Sequence, residues 1–169
     1  MKKVNGTLFL LLLCFSISAL AQTYDVPRYH FTSKTNFSEF EPEVIKATDW
    51  LQRTHWSAKD KKLDAASQFV LDWAQGTPNV TIQLRQSIMD LSDANPQLGF
   101  IYIAHYCKYA ILHQYEFDKD EASVYALKAV IAKYQMEPGH KYDKDVERLI
   151  EMDKDIGLLN WVKDSFSFE

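Results

Sequence analysis

The segment Pro96–Glu116 constrains this chain more than any other. From Leu98 to Leu112 it is almost entirely apolar or aromatic, interrupted by His105 and Lys108. Positions 98, 101, 102, 105, 109 and 112 follow a helical period, and the other faces are nearly as apolar. A helix of that kind has to be covered by neighbours on most of its sides. The apolar run is too short, and too interrupted by polar groups, for a membrane span of roughly 20 residues. Asn95 suits an N-cap and Pro96 the first helical position. The segment therefore predicts an all-α fold: one compact array of five to six helices around a central apolar helix at about 96–116.

The other helices follow from periodicity and punctuation. A first helix is expected to start near Ser38–Pro42, with Pro42 in its first turn and Phe40, Val44, Thr48 and Leu51 on its apolar face, fading near Thr54–Ser57. A second is expected over Ala58–Gln75, ended by Gly76 as cap and by Pro78. Val80–Leu91 reads as an extended lead-in followed by a short helix over about Ile82–Asp90, because a lone strand would leave its ladder unpaired. Asp118 with Glu121 predicts a capping box for a helix over Lys119–Gln135, closed by Pro138-Gly139. A last helix starts near Asp143, and Gly157 is placed to split or kink it before Val162. Residues 22–37 read as an extended N-terminal arm whose Tyr24, Tyr29, Phe31 and Phe37 lie against the helical domain 38–164, and 165–169 as a frayed C-terminus. No repeat of fixed period is present, and the tetratricopeptide spacing is not met.

The first residues carry an address. Lys2 and Lys3, the apolar run Leu8–Leu20 and the small-x-small sequence Ala19-Leu20-Ala21 have the three parts of a secretory signal peptide over 1–21. Cys14 is not preceded by the Gly or Ala of a lipobox but by Leu13, so lipidation there is not expected. Cleavage after Ala21 would leave 148 of the 169 residues, one domain with room for a real core. It would also remove two of the 19 basic residues and no acid, leaving 17 against 23 acidic ones. No basic stripe is present, so nucleic acid is not an expected partner. The remaining cysteine, Cys107, sits in the most apolar stretch and reads as an inert core thiol.

Chemistry-bearing motifs are scarce. There is no nucleophile elbow, Gly-rich phosphate loop, paired-His zinc motif or haem-attachment motif, and no cofactor is expected. His105, Tyr109 and His113 share one helical face, but two histidines eight residues apart lie about 12 Å apart along a helix and cannot chelate one ion unaided. His113 and Glu116, three apart, form the one weak metal-ligand pair. The surplus is aromatic: most of it reads as filling for a small core, and the sharper reading is a partner surface for another protein or a glycan at His55-Trp56, with Trp161 beside Asn160 second. A non-enzymatic interaction or scaffold module is the leading functional class. A small hydrolase or metal-dependent enzyme using His113, Glu116 or His105 is the alternative.

Trp73-Ala74-Gln75-Gly76-Thr77-Pro78-Asn79-Val80, Asn95-Pro96, the aromatic central helix and Asp143-Lys144-Asp145-Val146-Glu147-Arg148-Leu149-Ile150 with Asp153 resemble a group of small secreted helical proteins of Bacteroidetes-type bacteria. The resemblance spans most of residues 40–163. It implies bacterial export and a helical fold. That group has no known activity, so it implies no site residue.

Overall fold

The structure, a computed structural model, describes residues 24–56, 61–155, 157–164 and 166. The expected signal peptide at 1–21, the expected start of the second helix at Ala58, Ile156 and most of the C-terminal segment lie outside the described residues. The described residues form an all-α fold of seven helices: α1 (Lys34–Arg53), α2 (Lys61–Gly76), α3 (Gln86–Asp90), α4 (Gln97–Leu112), α5 (Lys119–Met136), α6 (Lys144–Asp153) and α7 (Gly157–Asp164). None of them is long and apolar enough to cross a membrane.

Helix α4 packs against α1, α2, α3 and α5. Its apolarity on every side is what permits this. Leu98, Ile101, Tyr102, Ala104, Tyr106, Cys107, Ala110 and Ile111 are all buried. Ile103, expected in the core, is only part-buried, and Leu112 is exposed. Helix α5 runs back along α4, so that Tyr109 reaches Glu121 and His105 faces Tyr125. Helices α6 and α7 cover the other side of α5, while α1 and α2 pair with each other and both meet α4.

The first helix differs from the sequence reading at its start. Helix α1 starts at Lys34, not near Ser38, and Pro42 lies inside it. The Ser33 hydroxyl caps the helix by accepting from the Asn36 N–H. Phe37 and Phe40, which the extra turns carry inward, join Phe31 and Phe69 in an aromatic cluster with ring centroids 4.9–6.0 Å apart. The buried Trp73 indole also donates to the Phe37 carbonyl at 2.8 Å. An internal proline costs about 3 kcal/mol in a helix, and this cluster is what offsets it. The arm is accordingly shorter than expected, but Tyr24, Tyr29 and Phe31 do lie against the core.

Gly76 ends α2, although not through a left-handed cap, since no glycine among the described residues has positive φ. A Cβ there would sit 2.4 Å from Phe37 Cζ, so the position needs a small residue for close approach. The lead-in before α3 stays extended through Arg85, four residues further than expected. The last predicted helix is divided at Gly157 into α6 and α7, which raises the count to seven. Phe166 is not frayed: it is buried against Trp161, and its carbonyl accepts from the Ser87 hydroxyl at 2.6 Å.

Helix α4 stops at Leu112, four residues before the expected end. The cause is local. Gln114 and Tyr115 take φ of 53° and 67°. The Tyr115 N–H bonds back to the Ala110 carbonyl and the Gln114 N–H to the Ile111 carbonyl, the paired bonds of a Schellman turn. Glycine normally fills that left-handed position, because an L side chain there is strained by about 1–2 kcal/mol. The Tyr115 hydroxyl then donates to Glu41 and ties the turn to α1. Gln114→Gly is expected to raise the unfolding free energy by about 0.5–1 kcal/mol, read from urea melts. An unchanged or lowered midpoint would contradict this account of the turn.

Candidate functional site

The sequence singled out Trp56 and His55, and both lie at the C-terminal end of α1, beside the C-terminal end of α5. What holds them there is Lys133. Its side chain is fully buried, and its ammonium donates to the carbonyls of Leu51, Gln52 and Thr54 at 3.2, 3.3 and 2.6 Å. Those carbonyls belong to the last turn of α1, where helix geometry leaves acceptors without partners and the helix dipole is negative. Glu137, one turn along α5 and only 3% exposed, completes the set with an ion pair to Lys133 at 2.7 Å. Burial pulls the Lys133 pKa below its usual range, against the opposing pull of Glu137.

The same carboxylate positions Trp56. Both Glu137 oxygens accept from the Trp56 backbone N–H at 3.2 Å, and Lys133 Nζ lies 5.4 Å from the centroid of the indole ring. His55 remains exposed, with Nδ1 3.5 Å from Glu137. A groove of about 590 Å³ opens here, walled by Trp56, Ala94, Pro96, Glu137 and Pro138 and rimmed by Gln97 and Lys141. The far wall is pinned by Asn95, which is buried and spends its amide on the Lys141 backbone, accepting from the N–H and donating to the carbonyl, both at 2.8 Å.

The other sequence candidates are not brought together. Trp161 is buried against Phe166 with centroids 5.0 Å apart, so this indole is absorbed by α7 packing rather than offered at the surface. Asn160 beside it is exposed. His113 and Glu116 are both exposed, and they fall after the end of α4, so they do not share a helical face. The His113 ring stacks on Tyr109 at 3.9 Å, and its Nδ1 lies 2.8 Å from the Tyr109 carbonyl. No cluster of three or more His, Cys, Asp or Glu among the described residues could hold a metal ion. Cys107 is buried, and burial pushes its thiol up to about 12, which keeps it protonated.

His105 is buried in α4, and neither ring nitrogen has a hydrogen-bond partner among the described residues. Burial lowers its pKa from 6.5 to about 4, helped by Lys108 and opposed by Asp49. Sequence reasoning missed the Lys133–Glu137 pair. The signal was present: Lys133 falls on the stripe of Ala122, Ala126 and Val130, a polar residue on an apolar face, with an acid four residues on.

Two outcomes follow from these groups. Lys133→Ala strands the Glu137 carboxylate and removes the donor from three α1 carbonyls, so urea melts should show a loss of about 3–5 kcal/mol. A loss under about 1 kcal/mol would show the pair to be incidental. The unfolded chain takes up a proton at His105 near pH 6.5, whereas the folded one resists until about 4. Stability from this group is therefore full above about pH 6.5 and falls as the pH drops toward 4. Between about pH 7 and 4.5 the protein should lose about 2–3 kcal/mol more than His105→Phe does. Equal losses in both proteins would place the proton elsewhere.

Compared with known proteins, the chain matches no protein family, no curated protein and no solved structure.

Proposed function

We propose that this chain is an exported, non-enzymatic interaction module that receives a segment of another protein in the groove at Trp56. The observation that carries this reading is how the polar groups of the groove are already spent. Both Glu137 oxygens are taken by the Trp56 N–H and Lys133, and the Asn95 amide is taken by Lys141. What is left facing the groove is the apolar surface of Trp56, Ala94, Pro96 and Pro138, with the exposed Gln97 and Lys141 side chains at its rim. A glycan needs free donors and acceptors around an aromatic platform. An apolar side chain from a protein needs only a desolvated, rigid pocket with a polar rim. The groove has the apolar wall and polar rim of the second kind, and a part-buried tryptophan whose backbone is held by a buried ion pair is a suitable anchor. A cell-surface or periplasmic partner agrees with export, for which the first 21 residues are the support.

The test is affinity capture from the protein's own periplasmic or culture extract, followed by titration of the purified prey. Trp56→Ala should weaken binding by at least about thirtyfold, the loss typical of a central aromatic anchor. Lys46→Gln, in a surface pair with Glu43 on α1, should leave it unchanged. No retained protein, or one held equally by Trp56→Ala, would defeat the reading. The mass of the exported protein should begin at Gln22, and a retained Met1 would remove the export claim.

A further inference from the structure

A second cavity lies towards the opposite end of α5, between the extended lead-in to α3, the middle of α4 and the first turns of α5. It has no part in the Trp56 groove. At about 100 Å³ it is well below the roughly 300 Å³ of a site for a larger organic ligand, and it suits a single small ion. Its lining is rich in donors. Arg85 and Lys119 both border it, and neither has an ion-pair partner among the described residues. Both are exposed residues at the cavity mouth, and the Arg85 guanidinium lies over the Phe166 ring, 5.0 Å from its centroid.

Tyr106 supplies the independent observation. The residue is 4% exposed, its ring is held edge-on by Phe117 at 5.9 Å, and it lines the cavity. Its hydroxyl makes no hydrogen bond with any described residue, while the neighbouring phenol, Tyr102, is bonded to Ser123 at 3.2 Å. The ring is buried but the hydroxyl itself is not enclosed: it opens onto the cavity and is a donor free to turn to a bound oxyanion.

One group in the lining selects among anions. Asp120 also borders the cavity, and its carboxylate can only accept. Nearby Asp118 is already spent: its carboxylate caps α5 by accepting from the Asp120 and Glu121 N–H groups at 2.7 and 3.1 Å. A carboxylate among cations repels a fully deprotonated anion such as sulfate. It accepts a hydrogen bond from an oxyanion that retains a proton at neutral pH. We propose that this cavity binds a hydrogen phosphate group, with Arg85, Lys119 and the Tyr106 hydroxyl donating to its oxygens and Asp120 accepting from its P–OH.

Calorimetric titration of the purified protein with inorganic phosphate, sulfate and glycerol phosphate tests this. Phosphate should bind saturably and at least about tenfold tighter than sulfate, the difference of one hydrogen bond to a charged group. Tyr106→Phe, which keeps the ring and removes only the hydroxyl, should weaken phosphate by about tenfold, and Arg85→Gln by at least as much. Asp120→Asn should erase the preference for phosphate over sulfate. Tighter binding of inorganic phosphate than of glycerol phosphate identifies a free ion, and the reverse identifies an ester; either supports the site. No saturable binding of phosphate or glycerol phosphate, or binding untouched by Tyr106→Phe and Arg85→Gln, would overturn it. Equal affinity for sulfate would overturn the assignment of Asp120. Trp56→Ala should leave phosphate binding unchanged, so failure here and failure of the protein-interaction reading are distinguishable.

Discussion

A buried ammonium holds the end of α1 in place. Lys133 is surrounded by three carbonyls and one carboxylate, and without it the C-terminal turn of α1 would end in the interior with its acceptors unpartnered. Taking a lysine out of water costs several kcal/mol unless every donor finds a partner. Here the three donors of the ammonium meet four acceptors, and the carboxylate that balances its charge has partners of its own. An arrangement of this kind adds little net stability relative to a well-packed apolar core, but loss of either partner strands the other in the interior. It ties the last turn of α1 to α5, and the same carboxylate holds the Trp56 backbone.

The interior around α4 is built on the opposite principle. The helix offers almost no polar group, so its neighbours can approach from several directions without needing specific partners. The exceptions are telling. His105 on α4 and Thr48 and Gln52 on α1 have buried side-chain atoms with no hydrogen-bond partner among the described residues. Such atoms are a cost carried by the fold, and at His105 the cost becomes a dependence on pH, because the interior rejects the imidazolium.

The two candidate surfaces sit towards opposite ends of α5 and differ in chemistry for a structural reason. At the C-terminal end, the buried polar groups are used to close α1, and the groove wall that remains is apolar with a polar rim. At the N-terminal end, Asp118 alone satisfies the first turn of the helix, which leaves Lys119, Asp120 and the two α4 phenols around a small polar space. One side uses its charges internally and presents an indole. The other has charges in reserve.

Much of the helical order was legible in the amino-acid sequence, because period, caps and breakers act over a few residues. The apolarity of Leu98–Leu112, the Asp118 cap, the Pro138-Gly139 break and the split at Gly157 are of this kind. The positions where local reading failed are those where a distant residue decided. Helix α1 runs through Pro42 because Phe31, Phe69 and Trp73 hold its first turns, and Gly76 is small because Phe37 lies against it. Trp161 looked like a surface indole until Phe166 covered it. Trp56 was visible as a candidate, but its groove depends on Asn95, Glu137 and Pro138, which lie far along the chain. The sequence by itself determined which segments coil and which residues avoid water, since both are properties of short stretches. Only the tertiary structure decided which polar groups are consumed and which are left to face a ligand, since a hydrogen bond is spent or free according to what the rest of the chain brings within 3 Å or so.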